Sequence, residues 1–284
     1  VKPFSFLNFF RLFANFCKYS LSISKLSAIL AFITTSVTSK KKGFNMKVKR
    51  FAFTLAEVLI TLGIIGVVVA LTIPTLMSDY RKHVVETRLE KFYSVMNQAI
   101  AQSEIDNGNK LYWDKMGSNI EVDGEIVTNG GLSPIDWYNK YLAKYLLVLK
   151  VSVGDNTFNK NLGLLYFPDG SLAQFDVGGW LFFPEARDYE KCYAMDNPLE
   201  CSGRKYFAFT FNPNSSEYYM NNKGLETYKW QWDGKRTTLL GQTQSGLSYK
   251  VACTKEIPTY GRSYCSALIE YSGWKIPKDY PVNF

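Results

Sequence analysis

An almost wholly apolar run occupies residues 53–76, FTLAEVLITLGIIGVVVALTIPTL, and contains one charged side chain, Glu57. At a rise of 1.5 Å per residue, a helix over this run is about 36 Å long, enough to cross the hydrocarbon core of a bilayer with some tilt. The apolar region of a cleavable secretory signal is shorter, about 7–15 residues. Lys47, Lys49 and Arg50 precede the run, and the positive-inside rule keeps that end in the cytoplasm. The pattern therefore predicts a single-pass helix, with the residues after about 80 outside the cytoplasm.

After Pro74 the pattern becomes amphipathic, with apolar residues at helical spacing and charged residues between them. Gly108, which follows Asp106 and Asn107, suits a left-handed cap and predicts the end of the helix. We expect one helix of about 50 residues, whose apolar stripe packs on the sheet of a head domain. The stripe consists of Val85, Leu89, Phe92, Met96, Ala99 and Ile100.

The head domain is predicted to begin with a turn-rich segment and a second helix. Residues 109–132 are rich in Gly, Asn and Asp, which mark turns. Ser133 is a favourable N-cap, Pro134 is a favourable first helical residue, and Asp136 completes a capping box. We expect this second helix to run to about Leu147.

Strand signals follow the second helix. Residues 163–177 predict a hairpin that turns at residues 168–171, and residues 205–212 alternate as a half-buried strand does. The expected architecture is α+β, with an antiparallel sheet laid across the long helix. The shorter predicted elements are strands near residues 225–231 and 247–252 and a helix over residues 263–271, capped near Gly273.

Two aromatic clusters in the head allow two interpretations. They are Trp180-Leu181-Phe182-Phe183 and Tyr218-Tyr219. Each is either part of the core or an exposed surface that touches a partner.

The formal charge of +8 is unevenly distributed. Residues 1–52 contain ten of the 33 Lys and Arg residues and no Asp or Glu. The rest of the chain therefore contains 23 basic and 25 acidic residues. Because the body of the chain is not basic, we expect no nucleic-acid contact.

Met46 begins a short basic leader, MKVKRFA, directly before the apolar run. We expect translation to start there, with residues 1–45 as upstream sequence; a long leader and an organellar targeting peptide are the alternatives.

Glu57 is not explained by a simple membrane anchor. A carboxylate inside a spanning helix costs about a few kcal/mol and is normally paired or functional. No Lys, Arg or His lies within the apolar run. A cut before Phe53 would create an α-amino group four residues from Glu57, able to pair with the carboxylate of its own chain or of a neighbouring one.

These residues resemble the N-terminus of type IV pilins and type II secretion pseudopilins. In that family a short basic leader ends in a small residue, usually Gly, a Phe follows, and the fifth mature residue is Glu. Here these positions are Ala52, Phe53 and Glu57, and Pro74 also falls at a position typical of the family. The resemblance covers about residues 46–105, and alanine instead of glycine before the cut is a departure from the family pattern.

The resemblance implies a structural subunit and not an enzyme. A prepilin peptidase would cut between Ala52 and Phe53 and N-methylate Phe53. The subunit would wait in the bacterial inner membrane, with its N-terminus cytoplasmic and its head extracytoplasmic. An inner-membrane assembly platform would then pack it against other pilin or pseudopilin subunits in a type IV pilus or type II secretion pseudopilus. Glu57 would register each subunit by neutralising a neighbour's amine, and Pro74 would give a kink or a locally melted turn.

The expected organisation is a pilin-like α+β fold in five segments. The segments are 1–45, the upstream sequence or extended leader; 46–52, the prepilin leader; 53–77, the transmembrane and filament-core helix; 78–107, the amphipathic stalk; and 108–284, a disulfide-stapled globular head.

Four cysteines lie beyond the predicted cut, in a head that the topology places in an oxidising space. They allow three pairings, and we favour the neighbour pairing, Cys192–Cys201 and Cys253–Cys265, because it closes two short loops. No pair has CxxC spacing, so we expect structural disulfides and not a metal or redox site.

His83 is the only histidine of the chain; we expect it to be exposed. Ser-His-Asp, Cys-His and histidine–zinc sites are therefore excluded from the head.

No cofactor is expected. Asp155, Asp169 and Asp176 offer oxygen ligands for a calcium ion of the kind that some related pseudopilins hold near the sheet, although aspartate also commonly forms turns. The alternative functions are a single-pass membrane-anchored extracytoplasmic binding protein and a carboxylate-based hydrolase. No spacing of carboxylates singles out the hydrolase, which would also leave Glu57 unexplained.

Overall fold

The computed structural model describes residues 55–122, 125–154, 162–243 and 248–284. The chain divides into two compact units, Val1–Leu62 and Gly63–Phe284. Most of the described residues belong to the second unit, in which a long helix packs against a six-stranded antiparallel sheet. This architecture is α+β, as the sequence predicts.

Helix α1, Leu55–Asn107, contains 53 residues. It ends where the sequence predicts, because Gly108 adopts a φ of 76°, the left-handed conformation that closes a helix. The helix is unbroken at Pro74, so the locally melted turn is absent, whereas the kink stays a prediction. The predicted apolar stripe of its second half is buried: Val85, Leu89, Phe92, Met96, Ala99 and Ile100.

The strands of the described residues form a hairpin and a larger sheet. They are β1 Ser118–Val122, β2 Glu125–Asn129, β3 Lys150–Gly154, β4 Leu162–Tyr166, β5 Leu172–Phe175, β6 Gly179–Phe183, β7 Phe207–Thr210 and β8 Glu226–Thr227. The larger sheet has the order β3-β4-β5-β6-β7-β8, with all neighbours antiparallel. The hairpin predicted over residues 163–177 is confirmed as β4 and β5.

Four shorter α-helices follow α1 in the described part of the chain. They are α2 Pro134–Tyr141, α3 Arg187–Tyr193, α4 Arg236–Leu239 and α5 Cys265–Tyr271. On one face of the sheet, the cross-strand row Leu165, Ala173, Phe182 and Phe207 packs in the same core as the apolar stripe of α1. The opposite face packs in part against α3 through Tyr189.

The prediction of a half-buried strand over residues 205–212 is wrong in its burial. All four residues of β7 are buried. The core that contains α1 covers one face of the strand, and α5 lies at the other, where the Ser266 Oγ donates to the Ala208 carbonyl at 2.6 Å. Alternation within the strand could not indicate that both faces are covered.

Helix α2 begins as predicted but is shorter. Ser133 caps its N-terminus through the side-chain oxygen. The helix ends at Tyr141 and not near Leu147, because the Ala143 amide bonds back to the Tyr138 carbonyl and closes the last turn.

The segment 109–132 contains two strands, β1 and β2, where only turns were predicted. Its sequence, SNIEV-DG-EIVTN, has an Asp-Gly dipeptide between two alternating strands, which is a hairpin signal. The dipeptide itself lies outside the described residues.

The C-terminal predictions are partly confirmed. The strand expected near 225–231 is reduced to β8, and residues 248–250 form a 3-10 turn in place of a strand. The closing helix, α5, begins at Cys265 and not at residue 263, and Gly273 follows it with a φ of 70°.

The two aromatic clusters differ in burial. Trp180, Phe182 and Phe183 are core residues with at most 1% exposure, whereas Leu181 is half-buried, so three of the four residues of this cluster belong to the core. Tyr219 is also buried, whereas Tyr218 is 72% exposed.

Two disulfides staple the head, Cys192–Cys201 and Cys253–Cys265. This is the neighbour pairing that the sequence favoured. The first joins α3 to the 3-10 turn Pro198–Cys201, and the second joins a loop to the start of α5. All four cysteines are fully buried. Each disulfide fixes a short helix to a neighbouring segment of the head.

Candidate functional site: an exposed apolar helix held by the head

The first half of α1 carries an exposed apolar segment, residues 58–77. Twelve of its large apolar side chains are between 37% exposed, at Val69, and 73% exposed, at Leu71, whereas Ile73 is half-buried. By length and composition this helix could cross a membrane, and its most apolar stretch is not buried within the chain. Among the described residues, a Cβ atom built on Gly63 would have no neighbour within 4 Å. The segment therefore presents a large apolar surface, and soluble monomers rarely expose one.

Two hydroxyl groups of this segment, those of Thr61 and Thr72, are satisfied within the helix. Thr61 Oγ1 donates to the Val58 carbonyl and Thr72 Oγ1 to the Val68 carbonyl, each at 2.9 Å. A helix also bonds its own backbone groups internally, which a hydrocarbon environment requires. The segment is thus suited to lipid or to the apolar surface of other helices.

The structure leaves most of the predicted assembly residues undescribed. Ala52 and Phe53 lie outside the described residues. Glu57 has a helical backbone, but its side chain, like that of Pro74, also lies outside them. The pairing of Glu57 with an α-amino group therefore stays a prediction.

Charged residues follow the apolar segment, and one of them, Glu86, links α1 to the C-terminal part of the head. Glu86 accepts from the Lys275 Nζ at 3.1 Å and from the Ile276 amide at 2.8 Å. His83 lies 3.9 Å from Glu86 with its side chain 71% exposed, which confirms the prediction for this histidine. The sequence analysis missed the role of Glu86, because its partners are about 190 residues away.

Aromatic packing holds α1 on the sheet. Phe92 is 4% exposed. Its ring stacks on Phe182 at 4.3 Å between centroids and contacts Phe209 edge-on at 5.2 Å and Phe167 at 5.9 Å. Such pairs add about 0.5–1.5 kcal/mol each beyond the area they bury, so this cluster strengthens the contact between helix and sheet.

Asn97 bonds α1 to the backbone of the strand region. Its Nδ2 donates to the Leu225 carbonyl at 3.0 Å, and its Oδ1 accepts from the Leu225 amide at 2.9 Å. Gly224 makes this approach possible, because a Cβ atom there would lie 1.9 Å from the Asn97 Oδ1. A single side chain thus acts as a β-strand partner, and nothing in its local sequence indicates this.

The calcium candidates are not brought together as ligands. Asp169 accepts from Lys91 Nζ at 2.8 Å and from the amide and hydroxyl of Ser171 at 3.1 and 2.6 Å. Burial alone would raise the pKa of Asp169, but these hydrogen bonds outweigh it and hold the pKa below its usual value. Asp176 follows β5, and Asp155 lies outside the described residues. The described residues contain no group of three or more His, Cys, Asp or Glu side chains that could share a metal ion.

Residues 75–284 match a family model described as "Family of unknown function (DUF6613)". The match begins next to Pro74 and covers the amphipathic half of α1 and the whole head. No curated protein and no solved structure matches the chain significantly.

Proposed function

The chain belongs to this family of unknown function (DUF6613), whose model matches residues 75–284. From the N-terminal segment before that match and from the structure of α1, we propose that the chain is a pilin-like structural subunit of a type IV pilus or type II secretion pseudopilus. A prepilin peptidase cuts it between Ala52 and Phe53 and methylates Phe53. The freed helix then leaves the bilayer and packs against the helices of other subunits.

The observation that carries this proposal is the division of α1 into two chemically different halves. Residues 58–77 are apolar and exposed, whereas the second half is fixed to the head by Phe92, Asn97 and Glu86. A helix of this kind transmits force, because drawing its apolar half into a filament moves the head with it. The leader, Phe53 and Glu57 support the same interpretation from the sequence.

Glu57 provides the test of assembly. We expect Glu57→Val to stay in the membrane fraction, because the substitution removes the carboxylate that neutralises the amine of a neighbouring subunit. The matched control is Glu90→Val, which changes an exposed glutamate of the same helix. Wild type and the control should appear in sheared, pelleted filaments or in cross-linked ladders of subunits.

The Glu57→Val experiment also has a clear negative outcome. If Glu57→Val subunits enter filaments as efficiently as Glu90→Val subunits, the proposed role of Glu57 is wrong. If wild-type subunits form no higher-order assembly, the filament function itself is wrong.

A further inference from the structure

A basic cavity of about 280 Å³ lies beside α1, just past the exposed apolar segment. Arg81, Val84 and Val85 of α1 form one wall, and residues from the segments around α3 and β7 form the others. Phe284 also lines the cavity. The charged residues that line this cavity are Arg81, Arg187, Lys191, Arg204 and Lys205, with Glu185 and Asp188 as acids.

The two acids of the basic cavity neutralise only two of its cations. Arg187 Nε donates to Glu185 Oε2 at 2.6 Å, and Lys205 Nζ lies 3.8 Å from Asp188. Within the described part of the chain, the three other cations form no ion pair. They are Arg81, Lys191 and Arg204.

Arg204 shows the excess of positive charge in the cavity most clearly. Its Nε atom is buried and has no hydrogen-bond partner among the residues that the structure describes. A neighbouring arginine, Arg262, is buried and donates to backbone carbonyls, including those of Thr254 and Lys255. Burial lowers the pKa of Arg262, and the charge of Arg204 lowers it further. A buried donor on a cation is costly when unpaired, so this position favours an anion.

The location of the basic cavity narrows the class of anion. Arg81 follows Met77, the last residue of the exposed apolar segment, by about 6 Å along the helix axis. When that segment spans a bilayer, Arg81 lies at the depth of the phosphate groups. Guanidinium groups bind phosphate oxygens through paired hydrogen bonds, and phospholipid headgroups present phosphate oxygens at this depth.

We propose that the basic cavity binds a phosphate group, supplied by the headgroup of an anionic phospholipid or by a soluble phosphate. Arg81, Lys191 and Arg204 carry the binding, and Val84 and Val85 provide an apolar wall. This site does not depend on filament assembly, so it can be tested independently of the proposed function.

The test uses the full chain in uncharged detergent micelles and isothermal titration calorimetry at low ionic strength. The probes are inorganic phosphate, short-chain phosphatidylglycerol and, as a zwitterionic control, short-chain phosphatidylcholine. Compared with wild type, a triple variant should bind phosphate or phosphatidylglycerol at least about tenfold more weakly, because it loses three charged contacts. This variant is Arg81→Gln/Lys191→Gln/Arg204→Gln. Arg81→Gln/Lys191→Gln, which changes only exposed side chains, keeps the test valid if the Arg204 substitution impairs folding.

The matched control is Lys223→Gln/Lys255→Gln/Lys278→Gln, which removes the same charge from exposed lysines outside the basic cavity. It should weaken binding by less than about twofold. Tighter binding of phosphatidylglycerol than of phosphate identifies a lipid site, and equal binding of the two identifies a site for soluble phosphate. Equal losses in the cavity and control variants, or no binding of either anion, would overturn the proposal.

Discussion

At the scale of single residues, Asp169 joins the β4–β5 turn to α1. One carboxylate oxygen accepts from Lys91 of α1 and the other from Ser171 of the turn. Gly170, between them, adopts a φ of 81°, which suits glycine. The turn is therefore fixed both locally and to the long helix.

Asp169→Asn should lower the free energy of unfolding by about 1 kcal/mol at neutral pH, since Lys91 is half exposed and solvent screens the pair. The folded pKa of Asp169 lies below its ordinary value of 3.8. Its contribution is therefore present above pH 3.8 and is lost as the pH falls through the folded pKa. Urea unfolding of both proteins from pH 7 downward should show their difference shrinking below pH 3.8.

Asp79→Asn is the control for this pH series. Asp79 is 78% exposed, with its nearest cation 4.0 Å away, so the change should stay within about 0.5 kcal/mol at all pH values. A difference between Asp169→Asn and wild type that does not vary with pH would show that the carboxylate charge is not involved.

Residue-level contacts between distant segments were the least predictable from sequence. Ser133 and Gly108 were identified because capping depends on neighbours in the chain. Asn97 and Glu86 were missed because their partners, Leu225 and Ile276, are 128 and 190 residues away. The basic cavity was missed for the same reason, as its cations come from separate segments.

At the scale of elements, the contact between α1 and the sheet determines whether the head stays attached to its helix. The periodicity of α1 indicated this stripe correctly, because a period of 3.6 residues is visible locally. The strand order was not visible: β3, β6 and the first hairpin were not identified as strands. Strand β6 lies inside the sheet, and its continuous apolar run, Trp180–Phe183, lacks the alternation that identifies a half-buried strand. Strand β3 is instead a short edge strand with no buried residue.

Phe92→Ala should lower the free energy of unfolding by about 3–5 kcal/mol, because it empties the space between α1, Phe182 and Phe209. Ile105→Ala is a matched truncation in the same helix. Ile105 is 83% exposed, so its change should stay within about 0.5 kcal/mol. Urea unfolding followed by tryptophan fluorescence measures both. Similar losses in the two variants would mean that α1 is not held on the sheet by this cluster.

At the scale of the whole molecule, one helix serves two environments. Its first half exposes apolar side chains, whose hydration is unfavourable. Its second half forms part of the core of a disulfide-stapled head. The sequence predicted this division from hydropathy alone. Under the proposed function, the filament that the subunit would enter depends on partner surfaces, and no local pattern encodes them.

Mass spectrometry of the mature N-terminus, on protein purified from membranes of the producing cells, tests the central claim most directly. We predict a chain whose first residue is Phe53, carrying one methyl group on its α-amino nitrogen. A mature chain that retains Ala52 and the lysines before it would contradict the account, because Glu57 would then lack the amine that explains it.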